Sequence, residues 1–156
     1  MIVISDTSPI TSLIAIGRTD ILAELFAPVL IPRAVYDELI AFHSTLPDFL
    51  VVKEASDTAK IAGLRRQLGK GEAEAIALAE ELAADALLLD DASARLIAEQ
   101  RHLPVVGLVG VLILAKRRGL IQSLGSMLNQ LQAEAGFYLA PTVRADAIRS
   151  AGEPAG

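Results

Sequence analysis

A three-layer α/β/α sandwich around a short parallel sheet is the fold class this chain predicts. Short runs rich in Val, Ile and Leu alternate with helix-period segments along the whole length. Those runs lack polar alternation, as strands do when helices cover both faces of a parallel sheet. The length of 156 residues suits one compact domain, and 53% hydrophobic residues supply its core. The domain is expected over 1–150. The small, Pro/Gly-bearing tail 151–156, "AGEPAG", is expected to fray.

In chain order, the strands are read at "MIVIS" (1–5), "PVLI" (28–31), "FLVVK" (49–53), "ALLL" (86–89) and "PVVG" (104–107). Helices are expected near 8–16, 19–26, 33–43, 57–67, 71–84, 91–101, 108–118, 123–134 and 141–150. The first strand ends on Asp6, Thr7, Ser8 and Pro9, which reads as a helix cap with proline in the first turn. In the third helix, Val35, Leu39 and Phe42 make one narrow apolar stripe. Glu38 lies about 60° from its centre, bordering the buried face, while Asp37 points to the far side.

Gly71 opens the next acidic helix, "GKGEAEAIALAEEL". Negative charge in its first turn is favoured by the helix dipole, which accounts for either Glu72 or Glu74. Glu72 shares the arc of Ile76, Ala79 and Ala83. Glu74 stands about 200° round, so both reach one point only if the first turn is distorted. The small residues Ala73, Ala75, Ala77 and Ala79 let this helix lie close to a neighbour. The segment 107–119 is apolar but short of the ~18 residues that span a bilayer, and Lys116, Arg117 and Arg118 end it as helix C-terminal charges.

The net charge of −5 gives no basic footprint of the kind nucleic-acid binders carry on average. With no cysteine, disulfides and thiolate metal sites are excluded, and a cytoplasmic location is expected. No basic segment precedes the first apolar run, so neither a signal peptide nor a membrane span is expected. The informative residues are acids. In an open α/β sheet, ligands bind beyond the carboxyl ends of the strands. Asp6 follows the first strand, and Asp90 and Asp91 follow the fourth. Clustered carboxylates repel unless a cation intervenes, and an oxygen-only donor set suits Mg²⁺ or Mn²⁺. His43 and His102 each end a helix and are read as structural. No Ser-His-Asp order is present to support nucleophilic hydrolysis.

From "VISDTSPI" through "IPRAVYDEL", "GKGEAEAIALA" and "LLLDDASARLIAE" to "VVGLVGVLILAKRRGLI", the chain resembles a PIN domain. The likeness is to the small prokaryotic kind that includes VapC-type toxins, in a branch marked by the Asp-Thr-Ser-Pro start and the Gly-Glu-Ala-Glu-Ala helix. It implies a PIN-like fold, a metal-dependent ribonuclease using one or two Mg²⁺ or Mn²⁺ ions, and an RNA substrate. The family's metal-binding acids fall on Asp6, Glu38, Glu72 or Glu74, and Asp90 or Asp91, with Glu38 either binding metal directly or orienting the attacking water. An "EAEA" pair with two ligands occurs in the related flap-endonuclease fold, so both glutamates are kept. Catalytic work is assigned to Asp6, Glu38, Glu72 and Asp91, with Thr7 and Ser8 supporting the first Asp.

Two departures stand out: Glu replaces the usual third Asp, and Leu89 stands where relatives carry Thr or Ser. Arg65, Arg66 and Lys70, and separately Arg117 and Arg118, are candidate RNA contacts, with solvated helix ends as the plain alternative. The resemblance further implies the toxin of a type II toxin–antitoxin pair, a small antitoxin partner and a homodimer, for which helices 108–134 offer surface. Two other readings compete. One is a catalytically silent PIN-like module that binds RNA or a protein; the other is a receiver-like phosphoacceptor domain, which the missing Lys after "PVVG" disfavours.

Overall fold

The computed structural model describes residues 1–154. Its sheet is all parallel, in the order β3-β2-β1-β4-β5, from β1 (Val3–Ser5), β2 (Val29–Ile31), β3 (Leu50–Val52), β4 (Ala86–Leu88) and β5 (Val105–Val106). The chain moves outward from β1 to β3, then returns past β1 to place β4 and β5 on its other side. The order therefore reverses between β1 and β4, which creates a crevice at their carboxyl ends.

Register explains the unbroken apolar strands. Val3 pairs with Ala86, Ile4 with Leu87 and Ser5 with Leu88. Alternate residues face opposite sides of a sheet. Val3, Ala86 and Leu88 enter one core with residues of α1 (Thr7–Ala15), α2 (Asp20–Phe26), α7 (Leu108–Arg117), α8 (Leu124–Ala135) and α9 (Pro141–Ser150). Ile4, Leu87 and Leu89 enter the other, with α4 (Thr58–Leu64), α5 (Lys70–Leu82) and α6 (Ala92–Gln100). Three layers follow, as the alternation of elements predicts.

α3 (Arg33–Phe42) packs against α5, whose Gly71, Ala73, Ala75, Ala77 and Ala79 are all buried. Without larger side chains, the two helix backbones approach closely. Val35 and Leu39 are buried as expected, but Phe42 is 84% exposed. It occupies the last residue of α3, where the helix has run past the core it covers. Residues 151–153 also depart from expectation. Ala151 is buried, and Glu153 accepts hydrogen bonds from the Leu124 and Gly125 N–H groups at the start of α8. The start of this tail is thus tied down by a helix that needs a cap; residues 155–156 lie outside the described residues.

Among the described residues, no helix is long and apolar enough to cross a membrane. Within 108–134, Val111, Leu112, Ala115, Leu124, Met127, Leu128 and Leu131 are buried in the core. Core packing accounts for these residues, while Val109, Ile113, Leu114 and Leu120 stay partly exposed.

Candidate active site

β1 hands the chain to α1 through Asp6, whose backbone N–H donates to the Leu88 carbonyl at 2.9 Å. Asp6 occupies the N-cap position of α1, yet its side chain makes no capping hydrogen bond. Pro9, three residues on, has no N–H to offer. The side chain is buried (5% exposed) beyond the carboxyl end of β1. Burial raises its pKa from 3.8 to about 7; the Thr7 backbone N–H opposes this, while the negative charges of Glu72, Glu38 and Asp90 reinforce it. A cap has no need of such surroundings.

The acids around it share one design, in which one carboxylate oxygen is tied down and the other is left without a tether. Thr7 Oγ1 donates to Glu38 Oε2. The Gly69 N–H donates to Glu72 Oε1 at 3.1 Å, the return half of a capping box on α5. The Leu108 N–H donates to Asp90 Oδ1 at 2.8 Å, bridging β4 to the start of α7. The Ala94 N–H donates to Asp91 Oδ2 at 2.9 Å, capping α6. Backbone tethers of this kind hold a ligating group in orientation before anything binds.

Glu72 is raised by burial, partly offset by the Gly69 N–H, and further raised by the adjacent carboxyl of Asp91 and by Glu38. Asp90 is raised by burial, against the Leu108 N–H and the nearby Arg95. Its Oδ2 is buried with no hydrogen-bond partner. That oxygen costs free energy unless something compensates it.

Glycine makes room for this crowd. A Cβ at Gly71 would lie 2.7 Å and 2.9 Å from the two carboxylate oxygens of Glu38. Glu38 therefore rests on the bare backbone of the first turn of α5. The importance of Gly71 was invisible along the chain, because its partner lies on another helix.

Glu74 turns the other way. α5 is regular from Lys70, so the two glutamates do not converge. Glu74 Oε1 accepts the Ala34 N–H at 3.0 Å and caps α3, whose N-cap residue Pro32 supplies no side-chain bond. Glu74 is not among the acids whose charges act on Asp6. Asp37 is exposed and paired with Arg33 on the helix surface, as the wheel predicts. Ser8 is exposed, so of the two hydroxyls expected to support Asp6, Thr7 alone reaches an acid, and that acid is Glu38. Lys70 opens the same turn as Glu72, and Arg65 and Arg66 precede it, all exposed. Arg117 and Arg118 end α7, which starts at the carboxyl edge and runs roughly 15 Å away from it. Arg117 Nη2 instead donates to the Ser150 carbonyl.

Among the described residues, no three carboxylates converge closely enough, as they stand, to enclose a metal ion. The donor set still fits a hard divalent cation. It is all oxygen, its members raise one another's pKa, and the orphaned Asp90 Oδ2 calls for a positive partner.

A family model described as a PIN domain matches residues 2–153. The chain belongs to the PIN-domain family. Comparison with curated proteins and with solved structures gives no match. PIN domains are generally nucleases that use divalent metal ions. In this PIN domain, Asp6 and the Asp90-Asp91 pair sit at the strand-order reversal between β1 and β4, while Glu38 and Glu72 arrive on α3 and α5.

Proposed function

We propose that this PIN domain is a Mg²⁺- or Mn²⁺-dependent endoribonuclease that hydrolyses RNA phosphodiester bonds. One observation carries the reading: Asp6 is buried at the switch point of the sheet, makes no capping bond, and is crowded by other acids. Asp6, Glu72, Asp90 and Asp91 are the residues that would hold the ion. When bound, Mg²⁺ or Mn²⁺ supplies Lewis-acid polarisation of a phosphoryl oxygen and lowers the pKa of water.

The chain's own residues do the rest. Glu38, steadied by Thr7 and seated on Gly71, has one oxygen free to accept a proton from the attacking water. The water oxygen bonds to phosphorus, one ester P–O bond breaks, and the departing alkoxide takes up a proton. Lys70 with Arg65 and Arg66 can receive the flanking phosphates at the Glu72 end of the site. A role as the toxin of a toxin–antitoxin pair belongs to the same proposal. Its antitoxin and its homodimer rest on the family resemblance alone.

The test is cleavage of a single-stranded RNA by purified protein with Mg²⁺, Mn²⁺ or EDTA. Cleavage should need the metal, and Asp6→Asn and Glu38→Gln should lower it roughly 100-fold or more, with Asp37→Asn near the parent. No metal-dependent cleavage by the parent would remove the nuclease reading, and full activity in both Glu38→Gln and Glu72→Gln would remove these acids from the reaction. Growth arrest on expression, relieved by the product of the adjoining reading frame, tests the toxin role.

A further inference from the structure

A second cavity opens beside the acids. It has a volume of about 520 Å³ and shares Asp90 with them; Arg95, Val109, Phe137, Tyr138 and Val143 are among its walls. That volume lies within the range of small-ligand pockets. The whole chain has four Phe, two Tyr and no Trp, yet two of these aromatics stand side by side here. Tyr138 is 65% exposed and Val143 51% exposed, so neither is spent on the core. Phe137, by contrast, packs against the core.

The aromatic wall is held in place. Gly136 ends α8 with φ +67°, a conformation glycine adopts freely, and the Phe137 N–H returns to the Leu131 carbonyl at 3.1 Å. Pro141 then starts α9, so the loop bearing Tyr138 is short and fixed at both ends. Elsewhere in the lining, Gly107 makes space for Arg95: a Cβ there would collide with the Arg95 guanidinium and lie 3.2 Å from Asp90 Oδ1. Among the described residues Arg95 forms no ion pair. A guanidinium that lines the cavity beside Asp90 without closing into an ion pair suits the phosphate of a bound strand.

We propose that this cavity is a nucleobase subsite, in which one unstacked base of a single-stranded RNA lies on Tyr138 while its phosphate meets Arg95. The proposal rests on the nuclease reading for its substrate class and extends it to a residue-level determinant of substrate choice. Only a strand that can present an unpaired base next to the cleaved bond fills the cavity, so duplex RNA is excluded. Stacking is tolerant of base identity, because every base has a π-face.

The experiment measures binding and cleavage separately on the full chain. Fluorescence anisotropy with a labelled single-stranded hexaribonucleotide, in Ca²⁺, compares the parent with Tyr138→Ala and Tyr138→Phe. Tyr138→Ala should weaken binding roughly tenfold, as expected for loss of one stacked base, while Tyr138→Phe should match the parent. Moving an abasic residue along the RNA should find one position that weakens binding to the parent but not to Tyr138→Ala. Parent-like binding by Tyr138→Ala, an abasic penalty equal in both proteins, or no binding by the parent would each overturn the subsite. Cleavage of the same RNA in Mn²⁺ keeps the two readings apart. Metal-dependent cleavage without any Tyr138 effect sinks the subsite and leaves the nuclease; Tyr138-dependent binding without cleavage upholds the subsite and removes the nuclease.

Discussion

Asp6 and Glu153 are both carboxylates tucked against the start of a helix, near opposite ends of the chain, and they have opposite fates. Glu153, 14% exposed, feels burial pushing its pKa up, but the Leu124 and Gly125 N–H groups and Lys116 outweigh it and hold the carboxyl below the usual range. Asp6 also feels burial first, but its next neighbours are mostly acids, and it ends near 7. One carboxylate is fully answered by donors and a cation, which is how a fold uses an acid for structure. The other is left unanswered, at the place where an α/β sheet binds ligands. An acid that a fold buries without compensation marks a site better than an acid that is merely buried.

After the acids themselves, the largest expected effect breaks the acid crowd without touching an acid. Gly71→Ala places a methyl group against the Glu38 carboxylate and should lower metal-dependent RNA cleavage by roughly tenfold or more, since small displacements of a positioned group are costly. The melting temperature should stay level or rise, because alanine is the better helix former. Cleavage kinetics beside a thermal melt check both, and unchanged kinetics would mean that Glu38 need not sit where it does.

Next comes pH. The folded pKa of Asp6 lies above its unfolded value of 3.8, so the folded state holds a proton that the unfolded state releases. Metal-free protein should therefore lose stability as pH rises from about 4 through about 7, by roughly 4 kcal/mol for Asp6 alone. Denaturant titrations in EDTA at pH 5 and pH 8 should show that loss in the parent and much less of it in Asp6→Asn. Mn²⁺ should restore the parent at pH 8, because the ion binds only the folded cluster.

The smallest effects fall on the answered acids. Glu153→Ala at α8 and Glu74→Ala at α3 should each cost about 1 kcal/mol, the usual value of a lost cap. Cleavage by Glu153→Ala should equal that of the parent. Glu74→Ala should lose far less activity than Glu72→Gln. Equal loss from the two glutamates would return Glu74 to the metal site and blur the contrast.

Much of this molecule was written in local order. Apolar runs without polar alternation marked buried parallel strands, because both sheet faces need covering, and the helices between them follow from period and caps. Acids directly after the first and fourth strands had to land at the carboxyl edge, since parallel strands all end there. The wheel separated Glu38 from Asp37 for the same reason, as helical period alone says which side a residue faces. Period does not say how far a helix outlasts its support, so Phe42 is exposed at the end of α3. Nor does it say what a neighbouring helix lacks. The uncapped start of α3 draws Glu74 to Ala34, while Glu72 stays beside Asp91 and Glu38. Gly71 beneath Glu38, Arg95 beside Gly107 and Tyr138 above the second cavity have the same origin. Each acquires its meaning from a residue distant in the chain, and only packing decides which distant residues meet.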